Sequence, residues 1–305
     1  DMIMTHNRIN KSKLATRVLG LAMCLALMLG IVFASPTFAV YAEGGTGTTG
    51  GLTIGGESDM SGDGYSYKGE TKTLTLQSYN GKEIYFYGDV IQLEGNNTIT
   101  VDKTSEKFPF PGNAAYKCYS AIYSRYAFTI TGSGSLAINM ETSDVDETCY
   151  SIYAREGMTI NGGNITININ SYYGGGSCGL YSNYGSVIIG GSASLDITTK
   201  SSAIGTVGND IVISGTGSKK IQVNVGDKNW ATSAIESVDG NVDISGPGKV
   251  TILYTNGDNS HAIKADKQIK IHSNADVETS AMIRSYFTDA AGSPSVEISD
   301  STVKI

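Results

Sequence analysis

The chain has 305 residues, of which 38 are glycine, only 5 are proline and 17% are charged. That balance fits turn-rich β structure and excludes an extended disordered chain. Its formal net charge of −7 argues against nucleic acid or an anionic membrane surface as a partner.

Arg8, Lys11, Lys13 and Arg17 precede an unbroken run of apolar residues and glycine from Val18 to Phe33. Small-residue sites follow at Thr37-Phe38-Ala39 and Val40-Tyr41-Ala42, so residues 1–42 are predicted to be a cleaved signal peptide. The run is short for a retained membrane anchor. Met23 before Cys24 argues against a lipoprotein. Without residues 1–42 the chain carries 18 basic and 28 acidic residues.

Residues 43–51, EGGTGTTGG, are predicted to be a flexible linker. Residues 52–101 are read as an N-terminal cap and first coil. GYSYKGETKTLTL, from Gly64 to Leu76, alternates like a hairpin or edge strand that blunts an open sheet edge, and Tyr79-Asn80-Gly81 reads as a turn. Ile84 to Val101 forms an irregular first coil, and the polar stretch from Asp102 to Lys117, with Pro109 and Pro111, a loop bulging from it without a site.

Residues 102–305 are organised around a repeat. Tyr119 to Met140, YSAIYSRYAFTITGSGSLAINM, recurs as YSIYAREGMTINGGNITINI from Tyr150 and as GLYSNYGSVIIGGSASLDIT from Gly179, with degenerate copies starting at Ala203, Ala234 and Ala262. The first aliphatic residues, Ile122, Ile152, Leu180, Ile204, Ile235 and Ile263, are separated by 30, 28, 24, 31 and 28 residues. A period of that size means one supersecondary unit per copy. Apolar residues alternate within each unit, as in Phe128 and Ile130 followed by Leu136, Ile138 and Met140, which means strands. Each unit thus predicts three short strands with a glycine turn before the third. The expected fold is all-β, a right-handed parallel β-helix of about six coils. Leucine-rich repeats would need a Leu-x-x-Leu-x-Leu frame that is absent. Val296, Ile298, Val303 and Ile305 still alternate where the sequence stops, so a fragment of a longer protein is expected.

Cys118, Cys149 and Cys178 fall at similar places in successive copies; they predict a ladder with at most one disulfide, or three buried thiols. His261 and His272 lie in no metal-ligand spacing, and His261 is expected to face solvent. Asp59, Asp63 and Glu70 match the ligand spacing of an EF-hand calcium loop, although no helix flanks them. Asp144, Asp146 and Glu147 form a second acidic loop that can be a solvated turn or a weak calcium site, as can Asn256 to Asn259. No other cofactor is implied.

Ten of the 18 tyrosines lie between Tyr116 and Tyr184, and Tyr123, Tyr153 and Tyr181 share one repeat position. Later copies have Gly205, Glu236 and Lys264 there, so the position is expected to face solvent and the rings to form an exposed row about 10 Å long. Such a row suits the apolar faces and hydroxyl rims of sugars. Alternatively the rings only stabilise the sheet. Tyr126, Tyr184, Arg125 and Arg155 can extend the face, with the arginines placed to pair with an acidic sugar. Tyr153→Ala is accordingly expected to weaken sugar retention while leaving thermal stability nearly unchanged.

The cap GYSYKGETKTLTLQSYNG and the units AIYSRYAFTITGSGSL and SIYAREGMTINGGNITI resemble those of secreted β-helix proteins of Gram-positive bacteria. Among these is a carbohydrate-binding β-helix domain family similar in fold to pectate lyases. The resemblance covers about Gly64 to the C-terminus and implies polysaccharide binding outside the cell or at its surface, sometimes with calcium. The copies here carry Ala-Ile, Ser-Ile or Gly-Leu where carbohydrate-binding members frequently carry Asp-Gly-Ile, a departure that bears on inherited calcium sites. The mature chain has no Asp-Asp pair, Gly-His-Gly or Arg-Ile-Lys of the kind used by pectinolytic enzymes of similar fold. The expected function is non-catalytic polysaccharide binding, ahead of an adhesin or stalk module and, third, a lyase or hydrolase. The expected partner is a polysaccharide or cell-surface glycan.

Overall fold

Every turn of the repeat lays down three strands, and each strand pairs in parallel with its counterpart one copy later. A computed structural model describes residues 51–109, 117–142, 148–170, 177–225, 232–255, 260–286 and 295–305. These belong to one compact unit, Tyr41–Ile305. The predicted signal peptide, most of the linker, the acidic loop at Asp144, Asp146 and Glu147, and Asn256 to Asn259 lie outside the described residues.

The described residues contain no helix and form three long sheets of 10, 11 and 9 strands. This parallel-sheet repeat architecture fits a parallel β-helix. The first sheet runs through Leu52–Ile54, Ile84–Phe86, Lys117–Ser124, Thr148–Ala154, Cys178–Ser182, Ser202–Val207, Ser233–Val238, His261–Ala265 and Met282–Ser285. All six repeat anchors pair in register along it, Ile122 with Ile152, then Leu180, Ile204, Ile235 and Ile263. In the second sheet Ile130, Ile160, Ile189, Ile213, Ile244 and Ile271 stack in the same way; in the third, Ile138, Ile167, Ile197, Ile221 and Ile252. These residues are buried in one continuous core. Each fully buried Ile contributes roughly 1.5–3 kcal/mol, so the core grows by the coil.

The cap is more extensive than a hairpin. Met60–Gly62, Tyr65–Lys68 and Thr73–Gln77 form an antiparallel meander, and Thr73–Gln77 then pairs in parallel with Val90–Glu94. Asn80–Gly81, expected as a turn, pairs with Thr98 and Ile99 in the third sheet. The first coil is regular, with one strand in each sheet at Ile84–Phe86, Val90–Glu94 and Asn96–Asp102. Lys219 is a cationic side chain that the strands bury. It is buried between Leu195 and Val250 in register, and its ammonium donates to the carbonyls of Ser214 and Gly217, 2.7 Å each, at the glycine turn.

Candidate functional site

The outer face of the first sheet is set by a local irregularity that recurs in every copy. Pairing runs Ser120 to Tyr150 and Ile122 to Ile152 but skips the residue between, and later copies skip the same place. The skipped residues are Ala121, Ser151, Gly179, Ala203, Ala234 and Ala262, small and buried beside the inward Ile or Leu. The strand therefore turns two adjacent side chains inward, and the outward positions fall two residues before the anchor and one after it.

The position after the anchor carries the expected row, in register from Tyr85 through Tyr123, Tyr153 and Tyr181. Tyr123 and Tyr153 stack with centroids 5.0 Å apart at 11°, and Tyr153 and Tyr181 at 6.0 Å and 28°. The row is not exposed. Tyr123 is 2% and Tyr153 0% accessible, and the end rings Tyr85 and Tyr181 are partly open. Two rings outside the row cover it. Phe108, from the excursion expected to be a mere loop, stacks on Tyr123 at 4.9 Å, and the strand Phe108–Pro109 pairs antiparallel with Lys117–Ser124. Tyr150, two residues before its anchor, stacks on Tyr181 at 4.5 Å and tilts against Tyr153 at 5.6 Å. The expectation of a solvent-facing sugar platform on Tyr123 and Tyr153 is therefore corrected: these rings, with Phe108, Tyr150, Cys118 and Cys178, make a second, smaller core outside the sheet.

Burial shows in the chemistry. It pushes the phenols of Tyr123, Tyr150 and Tyr153 upward, and that of Tyr181 to about 12. The Tyr153 hydroxyl is buried with no hydrogen-bond partner among the described residues. The Arg125 guanidinium at the rim partly offsets the rise at Tyr123.

The cysteine ladder does not form either. Cys118, Cys149 and Cys178 sit four, three and two residues before their anchors, so Cys118 and Cys178 point outward into the aromatic cluster while Cys149 points into the main core. All three are buried free thiols. Cys149 lies 3.0 Å from the Thr142 hydroxyl, and Cys178 donates to the Leu180 carbonyl.

The EF-hand-like spacing resolves into the cap meander. Asp59 accepts from Lys68 at 2.7 Å and from the Gly69 amide at 3.0 Å, contacts that hold its carboxyl below the usual range. Asp63 sits in the first turn, beside Gly64 at φ 74°, and Glu70 in the second. The three carboxylates do not converge, and no metal-ligating cluster occurs among the described residues. His261 is buried rather than solvent-facing.

The residues that remain accessible lie at the corner between the first and second sheets. Tyr126 is 51% and Tyr184 56% exposed, on coils two apart, and both arginines are exposed. Backbone bonds fix the order along the corner, Arg155 N to Ser124 O and Tyr184 N to Arg155 O. The Arg155 guanidinium lies 5.3 Å from the Tyr184 ring centroid, and Tyr126 meets Tyr87 edge-on at 6.4 Å. The corner is thus a ring, a guanidinium and a ring on three successive coils, beside Arg125. Comparison of the chain with protein-family models, curated proteins and solved structures finds no match.

Proposed function

We propose that the chain is a secreted or cell-surface right-handed β-helix that binds polysaccharide without cleaving it, after removal of residues 1–42. The leader-like composition of that segment supports secretion, and the resemblance of the repeats to secreted β-helix proteins supports the hand and the ligand class. The observation that carries the binding reading is the exposed corner of Tyr126, Arg155 and Tyr184. Tyrosine faces about 10 Å apart match the spacing of alternate sugar units, and an arginine between them supplies bidentate donors for a uronate carboxylate. Arg125 adds positive charge on a chain that is acidic overall.

The test is retention on gels of acidic and neutral polysaccharide, with calcium and with chelator. The acidic gel should retard the wild type, and Tyr126→Ala/Tyr184→Ala should lose most of that retardation. No unsaturated product or new reducing end should appear. A wild type that passes every gel unretarded would leave the stalk reading, which the sealed ring stack on the first sheet supports.

A further inference from the structure

Gly205 occupies the middle of the strand Ser202–Val207 with a backbone that any residue can adopt. No turn requires a glycine there, and glycine weakens a strand interior, often marking a place where a ligand or another chain segment comes close. The same register carries Tyr85, Tyr123, Tyr153 and Tyr181 before it and Glu236, Lys264 and Arg284 after it. Gly205 is the one position of this series without a side chain. A Cβ on it would lie 3.2 Å from the Tyr181 ring and 3.4 Å from the Cys178 sulfur.

Gly205 lines a cleft of about 330 Å³. Tyr150 and Tyr181 wall one end, Glu236 the other, and the Ser202 and Ser233 hydroxyls lie alongside. Its size falls at the small end of ligand pockets, about 300–1,000 Å³. Lys264 holds Glu236 by an ion pair of 2.5 Å, which fixes the carboxylate at the rim.

We propose that this cleft is a subsite for one neutral pyranose unit. The sugar's apolar face lies against the Tyr181 ring, its hydroxyls exchange hydrogen bonds with Ser202 and Ser233, and one donates to Glu236. The carboxylate opposes a uronate, while Lys264 and Arg284 beyond it oppose a cation. The proposal deepens the polysaccharide reading and rests on it for the ligand class alone.

The probes are glucose, galactose, N-acetylglucosamine and glucuronate at millimolar concentration, read by saturation transfer from the full chain, with polymer retention measured in parallel. At least one neutral sugar should receive saturation and glucuronate none. Gly205→Tyr, which prolongs the ring row into the cleft and requires the Tyr181 ring to give by a few tenths of an ångström, should abolish the signal, with folding checked by the melting temperature. Glu236→Gln should weaken binding about tenfold and serves if Gly205→Tyr does not fold. No transfer to any neutral sugar overturns the proposal, as does transfer that survives Gly205→Tyr or an unchanged affinity in Glu236→Gln. Monosaccharide uptake without polymer retention removes the corner reading and leaves the cleft; the reverse removes the cleft and leaves the corner.

Discussion

The first sheet has one backbone and two outer faces. From Ile84–Phe86 to Cys178–Ser182 the outward position after the anchor carries rings that stack and are covered by Phe108 and Tyr150. From Ser202–Val207 onward the same register carries Gly205, Glu236, Lys264 and Arg284. The inward residues are buried in both halves, from Ile84 to Leu180 in one and from Ile204 to Ile263 in the other. The core therefore fixes the coil, and the residue one place after the anchor decides whether the outside is sealed or open.

The largest effect that tests this contrast is at Tyr153. It is fully buried, so Tyr153→Ala is expected to cost about 3–5 kcal/mol in denaturant unfolding. That reverses the expectation for an exposed ring. Tyr153→Phe removes a hydroxyl that has no partner among the described residues, and stability should stay level or rise by up to about 1 kcal/mol. The same truncation at the exposed corner, Tyr126→Ala, should fall within about 0.5 kcal/mol of wild type. Equal losses at Tyr153 and Tyr126 would erase the distinction between sealed row and open corner.

Alkali probes the boundary between the halves. Burial, with Cys178 and Glu236 nearby, raises the Tyr181 phenol from 10.0 to about 12. The fold thus favours the neutral phenol over its unfolded form. Its contribution is complete below pH 10 and is lost as pH rises through 12. The tyrosinate absorbance missing from Tyr181→Phe, taken as a difference from wild type, should have its midpoint near 12. A midpoint near 10 would mean that the last ring of the row is wet and that the sealed region ends at Tyr153.

The periodicity of the inward residues made the repeat legible, because every copy must bury an aliphatic side chain at the same place, and the anchors Ile122 to Ile263 pair as their spacing predicts. The outer face was less legible. Glu236 and Lys264 at the tyrosine position pointed to solvent, yet exposure depends on what lies over a position, and Phe108 reaches Tyr123 from an excursion with no periodic signal. Tyr150 left a trace, since its position is Ser120, Cys178 and Ser202 in neighbouring copies and aromatic only there. The three cysteines lie at consecutive offsets from their anchors, four, three and two residues before them, so the alternation of the strand splits them between two cores. Gly205 was visible as a gap in the tyrosine column, but only the neighbouring rings and hydroxyls show that the gap is a cleft.

The smallest effect concerns what replaces the rings in the open half. Glu236 and Lys264 pair at 2.5 Å with side chains 27% and 24% exposed, and Lys264 also lies 5.2 Å from the Tyr286 ring. Water reaches both partners, so their attraction is offset by lost hydration and by the ordering of two long side chains. A double-mutant cycle of Glu236→Gln and Lys264→Met should give a coupling of about 0.2–1 kcal/mol that shrinks as salt is added. The rings a few coils away gain from leaving water and should respond little to salt. A coupling well above 1 kcal/mol that salt leaves unchanged would mean that the ion pair is as dry as the ring row, and the cleft between them would then be enclosed at both ends.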